Sequence, residues 1–142
     1  GFMNAYYQFL LHTQTVKKLP AWFEYIFNTP SHHRVHHGKN PKYLDANYAG
    51  TLIIWDRMLG TFVAEDENDP VDYGLVVPLE TYNPVRILFG EYWNIVKDVS
   101  QKGITVKDRF MYLFGPPGWS HDGSRKTSTD IKADYYKALN NN

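Results

Sequence analysis

The most constraining feature of this chain is a cluster of four histidines within six consecutive positions, in the segment SHHRVHHG at residues 31–38. Thr29 is a helix-capping residue type, and Pro30 suits the first position of a helix. Gly38 suits the residue that follows a helix end. These start and end signals predict a short helix over residues 30–37.

The predicted helix would hold all four histidines on one face. Residues one turn apart lie side by side on a helix, and two imidazoles at i and i+4 can aim their nitrogens at one metal ion. A solvated histidine-rich surface is the alternative, but the capped ends and the helical spacing favour metal binding. No Glu lies within the cluster, so a zinc hydrolase of the HExxH type is not indicated. The face comprises His32, His33, His36 and His37.

The composition restricts the donor atoms and the partners. The chain has 142 residues, six His and no Cys, which excludes disulfides and thiolate metal sites. Nitrogen ligands by themselves suit zinc, iron or copper. Lys+Arg and Asp+Glu are balanced at 15 each, so net charge gives no reason to expect a nucleic-acid partner. No apolar run reaches the roughly 18 residues of a membrane-spanning helix.

The remaining patterns predict a mainly α protein with one small β-hairpin. TFVAED at residues 61–66 and DYGLVVP at residues 72–78 flank an acidic turn and read as the hairpin strands. Asn47 is read as the cap of a helix that Gly60 ends. His121 lies in a loop rich in Gly, Pro and Ser, and we expect it to be exposed. Helices are expected over residues 2–18, 30–37, 47–60, 83–99, 106–114 and, weakly, 130–142.

The first predicted helix carries a polar stripe on an otherwise apolar and aromatic surface: Asn4, Gln8, His12 and Thr15. The stripe suits either the last turns of a membrane helix that faces a bundle interior or a soluble helix with one wet face. Gly1 is not an initiator Met and the pattern opens without a cap, so the chain is expected to begin within a longer protein.

Two segments carry a resemblance to a known family. HRVHH, at residues 33–37, resembles the last His-x-x-His-His box of the fatty acid hydroxylase/sterol desaturase superfamily. Residues 47–62, NYAGTLIIWDRMLGTF, resemble the segment that follows that box. With YQFLLHT at residues 7–13 and FGPPGW at residues 114–119, the chain is most similar to the members that cleave ether lipids. The resemblance covers residues 5–119.

The resemblance implies a fold and a domain organisation. Members of the family are integral membrane, non-haem di-iron oxygenases with their histidines on the cytosolic side. The chain is therefore interpreted as a fragment of a membrane-embedded helical enzyme, the C-terminal portion of the catalytic domain. Residues 1–18 would end a membrane helix, residues 19–119 would form a cytosolic metal-binding cap, and residues 120–142 would be a loop and a weak helix.

The same resemblance implies the site residues. His33, His36 and His37 would be iron ligands, and His12 would be a further ligand. His32 would be an outer partner that orients a ligand or hydrogen-bonds a carboxylate. No other catalytic residue is assigned. The two other histidine boxes of the family are absent from these 142 residues, so the shells of two iron ions cannot be filled and the chain by itself is expected to be inactive.

The activity that the resemblance implies is an oxidoreductase reaction on a membrane lipid. The ether-bearing carbon of an alkylglycerol would be hydroxylated with O2, and the hemiacetal would decay to an aldehyde and a glycerol derivative. Tetrahydrobiopterin would supply the electrons. The location would be the endoplasmic reticulum in a eukaryote or the cytoplasmic membrane in a bacterium.

Two alternatives remain at this point. One keeps the superfamily but changes the substrate, as in a sterol desaturase or fatty acid hydroxylase with a cytochrome b5-type electron donor. The other is a small zinc-stabilised domain without enzymatic activity, which would lose its fold when a chelator removes the metal.

Overall fold

The computed structural model describes residues 1–141 and divides into two compact units, Gly1–Val76 and a second unit that begins at Val77. The described residues form seven α-helices and no β-strand, which confirms a mainly α fold. A short 3-10 turn lies at Pro41–Tyr43. The helices are α1 (Phe2–Leu11), α2 (Ala21–Ile26), α3 (Pro30–His36), α4 (Ile54–Leu59), α5 (Pro84–Val99), α6 (Val106–Phe114) and α7 (Ser128–Asn140).

None of these helices, within residues 1–141, combines the length and the apolar character needed to cross a membrane. The helix predicted over residues 2–18 is α1, and it ends at Leu11 rather than near Lys18. The prediction of its end was wrong because the backbone carbonyl groups of the following segment bind a side chain of α3. The Arg34 guanidinium donates to the carbonyl oxygens of Thr13, Val16 and Lys17. A helix that continued to Lys18 would have used the Thr13 carbonyl oxygen for its own bond to the Lys17 N–H.

The small core of the first unit lies beneath α3. Val35, Tyr43 and Ala46 are buried together, with Val63 and Val71 packed against them. Tyr43 is buried, and its hydroxyl group bonds to the loop that follows α4. The hydroxyl donates to the Asp69 carbonyl oxygen at 2.9 Å and accepts from the Asp66 N–H at 2.9 Å. The core thus fixes α3 relative to the loop of residues 62–71.

Helix α3 confirms the predicted start and end of the histidine segment. Thr29 occupies the N-cap position, Pro30 begins the helix, and His37 is the C-cap residue before Gly38. The Thr29 hydroxyl does not cap a backbone N–H; it bonds to Glu24 and Ser31 instead. Tyr7 of α1 donates its hydroxyl to a backbone carbonyl oxygen just before α3, at 2.6 Å.

Asn47 does not cap the next helix, which corrects the prediction. Helix α4 begins at Ile54, whereas Asn47 has a left-handed backbone with φ of 53°. Its buried side chain donates to the carbonyl oxygens of His32 and Val63 and accepts from the Val63 N–H, so it ties α3 to the later loop. Gly60 ends α4 in the left-handed conformation, as predicted.

The predicted β-hairpin does not form among the described residues. The backbone of its first arm is engaged by side chains: Asn47 binds the N–H of Val63, and Tyr43 binds that of Asp66. The second arm instead meets the segment after α3, where the Lys39 N–H donates to the Asp72 carbonyl oxygen at 2.8 Å. The two arms do not pair with each other because backbone groups of each arm are hydrogen-bonded to other residues.

The second unit contains α5, α6 and α7, whose positions agree with the sequence. The Asn83 side chain caps α5, and capping boxes begin α6 at Thr105 and α7 at Thr127. Helix α7 therefore starts two residues before the predicted position, at Ser128. Asn142, the last residue of the predicted weak helix, lies outside the described residues.

Candidate metal centre

Three histidine ring nitrogens converge in the first unit. The Nε2 atom of His12 lies 3.0 Å from Nε2 of His33 and 3.2 Å from Nε2 of His37, and the last two are 3.2 Å apart. His33 is buried, whereas His12 and His37 are exposed at one edge. We call these three residues the histidine triad.

The local structure explains the convergence. His33 and His37 are one helical turn apart at the end of α3, as the sequence predicted. His12 reaches them from the C-cap position of α1. Its Nδ1 lies 2.9 Å from the Gln8 carbonyl oxygen, and a carbonyl only accepts, so Nδ1 carries the proton and Nε2 presents a lone pair to the triad.

The triad is a poor hydrogen-bond network. A neutral ring nitrogen either carries a proton or presents a lone pair, so among three mutually adjacent nitrogens at least one contact joins two alike. Such a contact is repulsive unless a cation lies between the lone pairs. The arrangement of His12, His33 and His37 therefore fits a cation better than it fits a set of hydrogen bonds.

Burial favours the neutral form of two of these rings, His33 and His37. Burial, reinforced by the possible positive charges of His12, His37 and His36, lowers the pKa of His33 to about 4. Burial, with the charges of His36 and His12, also lowers the pKa of His37. Neutral imidazole is the form that binds metals, so at neutral pH the lone pairs are available.

His36 is not part of the triad. Its ring is exposed, and its Nδ1 lies 3.2 Å from the carbonyl oxygen of Ala46. The proton is thereby placed on Nδ1, which leaves a lone pair on Nε2. Its ring centroid lies 5.8 Å from that of His33. A nitrogen ligand beside the triad but outside it suits a second, neighbouring ion.

His32 lies on the buried side of α3, away from the triad nitrogens. Its Nε2 is 4.0 Å from Glu24 Oε2, and its ring packs edge-on against Phe62. Glu24 is held by the hydroxyl groups of Thr29 and Ser31 and by a backbone N–H. His32 therefore lies beside Glu24 and outside the triad, and its role as an outer partner stays a prediction.

An open cavity of about 430 Å³ borders the triad. Besides the three histidines, Leu11, Gln14 and Tyr73 line it. Gln14 and Tyr73 were not among the predicted site residues. No local signal marks Tyr73, because it reaches the cavity only when the segment after residue 70 lies along Lys39 instead of forming a hairpin.

His121, in the second unit, is exposed as predicted. Its Nδ1 lies 2.7 Å from the Tyr112 hydroxyl group. Within the part of the chain that the structure describes, His121 is not grouped with other potential metal ligands.

Comparisons with known proteins find a family for part of this chain. Residues 1–61, which contain the triad, match the model of the fatty acid hydroxylase family. This part of the chain is similar to the fatty acid hydroxylases. The resemblance of the histidine box to that family is thereby confirmed. No solved structure matches the chain significantly.

Several curated relatives of this fatty acid hydroxylase-like chain are alkylglycerol monooxygenases. The chain is 45% identical to the protein of Xenopus tropicalis over 116 residues and 48% identical to that of Danio rerio over 120 residues, covering 82% of the chain in each case. It spans 25% of the length of these relatives. The ornithine lipid hydroxylase OlsE of Rhizobium tropici is 35% identical over 75 residues, which is 53% of the chain and 22% of that protein.

Proposed function

We propose that the intact protein is an oxygen-dependent lipid monooxygenase of the alkylglycerol monooxygenase type. The observation that carries this proposal is the convergence of three imidazole nitrogens within the segment that matches the fatty acid hydroxylase family. His12, His33 and His37 would hold one iron ion, His36 would bind a second ion, and His32 would support the helix. The substrate would be a membrane lipid with an ether bond.

The spacing of the triad suits a metal ion. Its three nitrogen separations of 3.0, 3.2 and 3.2 Å lie within the range of about 3.0–3.4 Å expected for nitrogen ligands that share one ion through bonds of about 2.1 Å. The match of this segment to the fatty acid hydroxylase family favours iron over the small zinc-stabilised domain.

The chain's own residues would prepare this centre. Gln8 and Ala46 hold the protons of His12 and His36 on Nδ1, so both present Nε2 as a ligand. Burial of His33 prevents a proton from competing for its lone pair. The chemistry that an iron centre supplies is the oxidation of an unactivated C–H bond with O2.

The overall reaction would insert one oxygen atom of O2 into a C–H bond of the ether-bearing carbon. The other oxygen atom would leave as water, with two electrons and two protons taken from the donor, which we propose to be tetrahydrobiopterin. The product carbon then bears a hydroxyl group and an ether oxygen. The bond between this carbon and the ether oxygen then breaks, and the hydroxyl proton passes to that oxygen. The products are an aldehyde and a glycerol derivative.

The family's two other histidine boxes do not occur in these 142 residues. We therefore propose that the chain by itself is inactive and that the intact protein completes the two-ion site. The proposed location is a membrane, the endoplasmic reticulum in a eukaryotic cell, with the site facing the cytosol.

A second candidate is a lipid hydroxylase with another substrate, such as a free fatty acid or a sterol. The 35% identity with an ornithine lipid hydroxylase over 75 residues supports this second candidate. The two candidates share the centre and differ only in the lipid and in the electron donor.

The test measures aldehyde release by the intact protein from an alkylglycerol, with and without tetrahydrobiopterin. We expect release that depends on the pterin, is lost in His33→Ala, and is unchanged in the matched control His121→Ala. Turnover of a sterol or a free fatty acid without cleavage of alkylglycerol would support the second candidate instead. Full activity of His33→Ala would refute the proposed centre.

A further inference from the structure

Arg34 lies between metal-ligand candidates in the sequence and borders the same cavity as the triad, but its guanidinium bonds to Glu65 and to the segment after His12. It follows His33 directly in α3 and is only 8% exposed. An arginine at this position is unexpected on a buried helix face, because a buried guanidinium is costly unless all of its N–H groups are bonded.

The structure gives a partner to every N–H of this guanidinium. Nε and one terminal nitrogen donate to the two carboxylate oxygens of Glu65 at 2.8 and 2.6 Å. The remaining donors bind the carbonyl oxygens of Thr13 at 3.1 Å, Val16 at 2.8 Å and Lys17 at 2.7 Å. Five acceptors match the five donors of arginine, so no donor is left for a substrate.

These contacts fix the segment that directly follows His12. Residues 12–20 form no helix, and most of this segment is exposed. A segment of this kind has no internal hydrogen-bond ladder and takes its position from its anchors. Arg34 binds it at Thr13, one residue from His12, and Arg34 is itself one residue from His33.

We propose that Arg34 and Glu65 form a positioning pair that holds His12 against His33 and His37. Glu65 orients the guanidinium through a two-point bond, and the guanidinium holds the chain after His12 at the distance that brings its Nε2 to the triad. Neither residue belongs to the triad. This inference rests on the metal site of the proposed function, but it concerns the geometry of the triad and not the reaction.

The test replaces the guanidinium group of Arg34 by an ammonium group, which keeps the positive charge. Arg34→Lys has one nitrogen in place of three and cannot bridge Glu65 and three carbonyl groups at once. The matched control is Arg57→Lys, since Arg57 of α4 also donates to two backbone carbonyl oxygens, those of Tyr25 and Glu24, but has no contact with the triad.

The first measurement is hydrogen exchange of the metal-free intact protein. We expect faster amide exchange in residues 13–17 for Arg34→Lys, and unchanged exchange there for Arg57→Lys. Unchanged exchange in Arg34→Lys would overturn the anchoring role. This readout needs neither metal nor activity.

The second measurement is Co²⁺ affinity, followed by the absorption of the bound ion. We expect Arg34→Lys to weaken binding by about 10- to 100-fold and to change the spectrum, the range typical for loss of an outer partner of a ligand. In a His12→Ala background the same substitution should change the affinity by less than about 2-fold, because its effect passes through His12. Equal weakening with and without His12 would overturn the inference.

Glu65→Gln is the second variant, for the case in which Arg34→Lys does not fold. It keeps the size of the side chain and removes one of the two strong acceptors, so a smaller change in the same direction is expected. An affinity and spectrum identical to those of the unsubstituted protein would overturn the pairing. Absence of any Co²⁺ binding by the unsubstituted protein would refute the proposed function instead, while hydrogen exchange would still decide the anchoring.

Discussion

His36 and His37 are adjacent in α3, but their ring planes are inclined at 73° and their centroids are 5.3 Å apart. Only His37 points its Nε2 to the triad, whereas His36 bonds through Nδ1 to the Ala46 carbonyl oxygen. Adjacent histidines on one helix therefore serve different positions. This difference separates their expected effects on metal binding.

We predict that His37→Ala weakens binding of the first metal ion by at least about 100-fold, because a direct ligand matters more than the outer partners whose loss costs about 10- to 100-fold. His36→Ala should retain one ion per protein and lose the second. Metal analysis of the intact protein after dialysis measures both ratios. Loss of both ions in each variant would contradict the separation of the two positions.

The metal-free protein should lose stability as the pH falls from 6.5 toward 4. The folded state holds His33 with a pKa of about 4, below its ordinary value of 6.5, so in this interval the unfolded chain binds the proton and the folded one does not. Stability is therefore fully present above pH 6.5 and falls as the pH decreases.

Urea unfolding of the metal-free protein at pH 7 and pH 4.5 measures this effect. The variant His33→Gln keeps a neutral polar side chain and should show a smaller decrease between the two pH values. An equal decrease in both proteins would assign the pH dependence to other groups.

Asp56 is expected to be the main polar support of α4. It is 2% exposed, and its carboxylate accepts from the N–H groups of Tyr48 and Ala49 and from the hydroxyl of Thr61. Asp56→Asn places an amide N–H₂ against backbone donors and should lower the free energy of unfolding by about 2–4 kcal/mol.

The control for Asp56 is Asp72→Asn. Asp72 is in an exposed ion pair with Lys39 at 3.2 Å. Asp72→Asn should therefore lower the free energy of unfolding by less than about 1 kcal/mol. Chemical unfolding monitored by tryptophan fluorescence compares the two variants. Equal destabilisation would show that the buried hydrogen bonds of Asp56 do not contribute.

In the second unit, Asp98 and Arg125 join the end of α5 to the loop before α7. Two hydrogen bonds of 2.6 and 2.9 Å connect them, and Asp98 is buried. Asp98→Asn should lower the stability of this unit by about 1–3 kcal/mol. The exposed pair of Lys126 and Asp134 is the control, and Asp134→Asn should cost less than about 1 kcal/mol.

The helices of the second unit were predictable because their signals are local. Asn83 before Pro84 begins α5, and a Thr with an Asp three residues later begins α6. Such signals act within one turn, so the sequence contains all that is needed. The pairing of His33 with His37 was predictable for the same reason.

The errors concern contacts between distant residues. The early end of α1 depends on Arg34, 21 residues from Thr13, and the absent hairpin depends on the hydroxyl of Tyr43 and the amide of Asn47. Local propensity favoured a longer helix and paired strands, but buried polar side chains bound the same backbone groups. The arrival of His12 at the triad belongs to this class, and only the family resemblance indicated it.

The separation between His12 and His33 has a consequence for folding. They lie 21 positions apart, so an ion that joins them acts as a cross-link around a loop of that length. The unfolded chain would have to close this loop to hold the ion, which costs chain entropy, whereas the folded chain already holds the two histidines together. The ion would therefore favour the folded state, and the supply of metal during synthesis would influence how much of the protein reaches its native state.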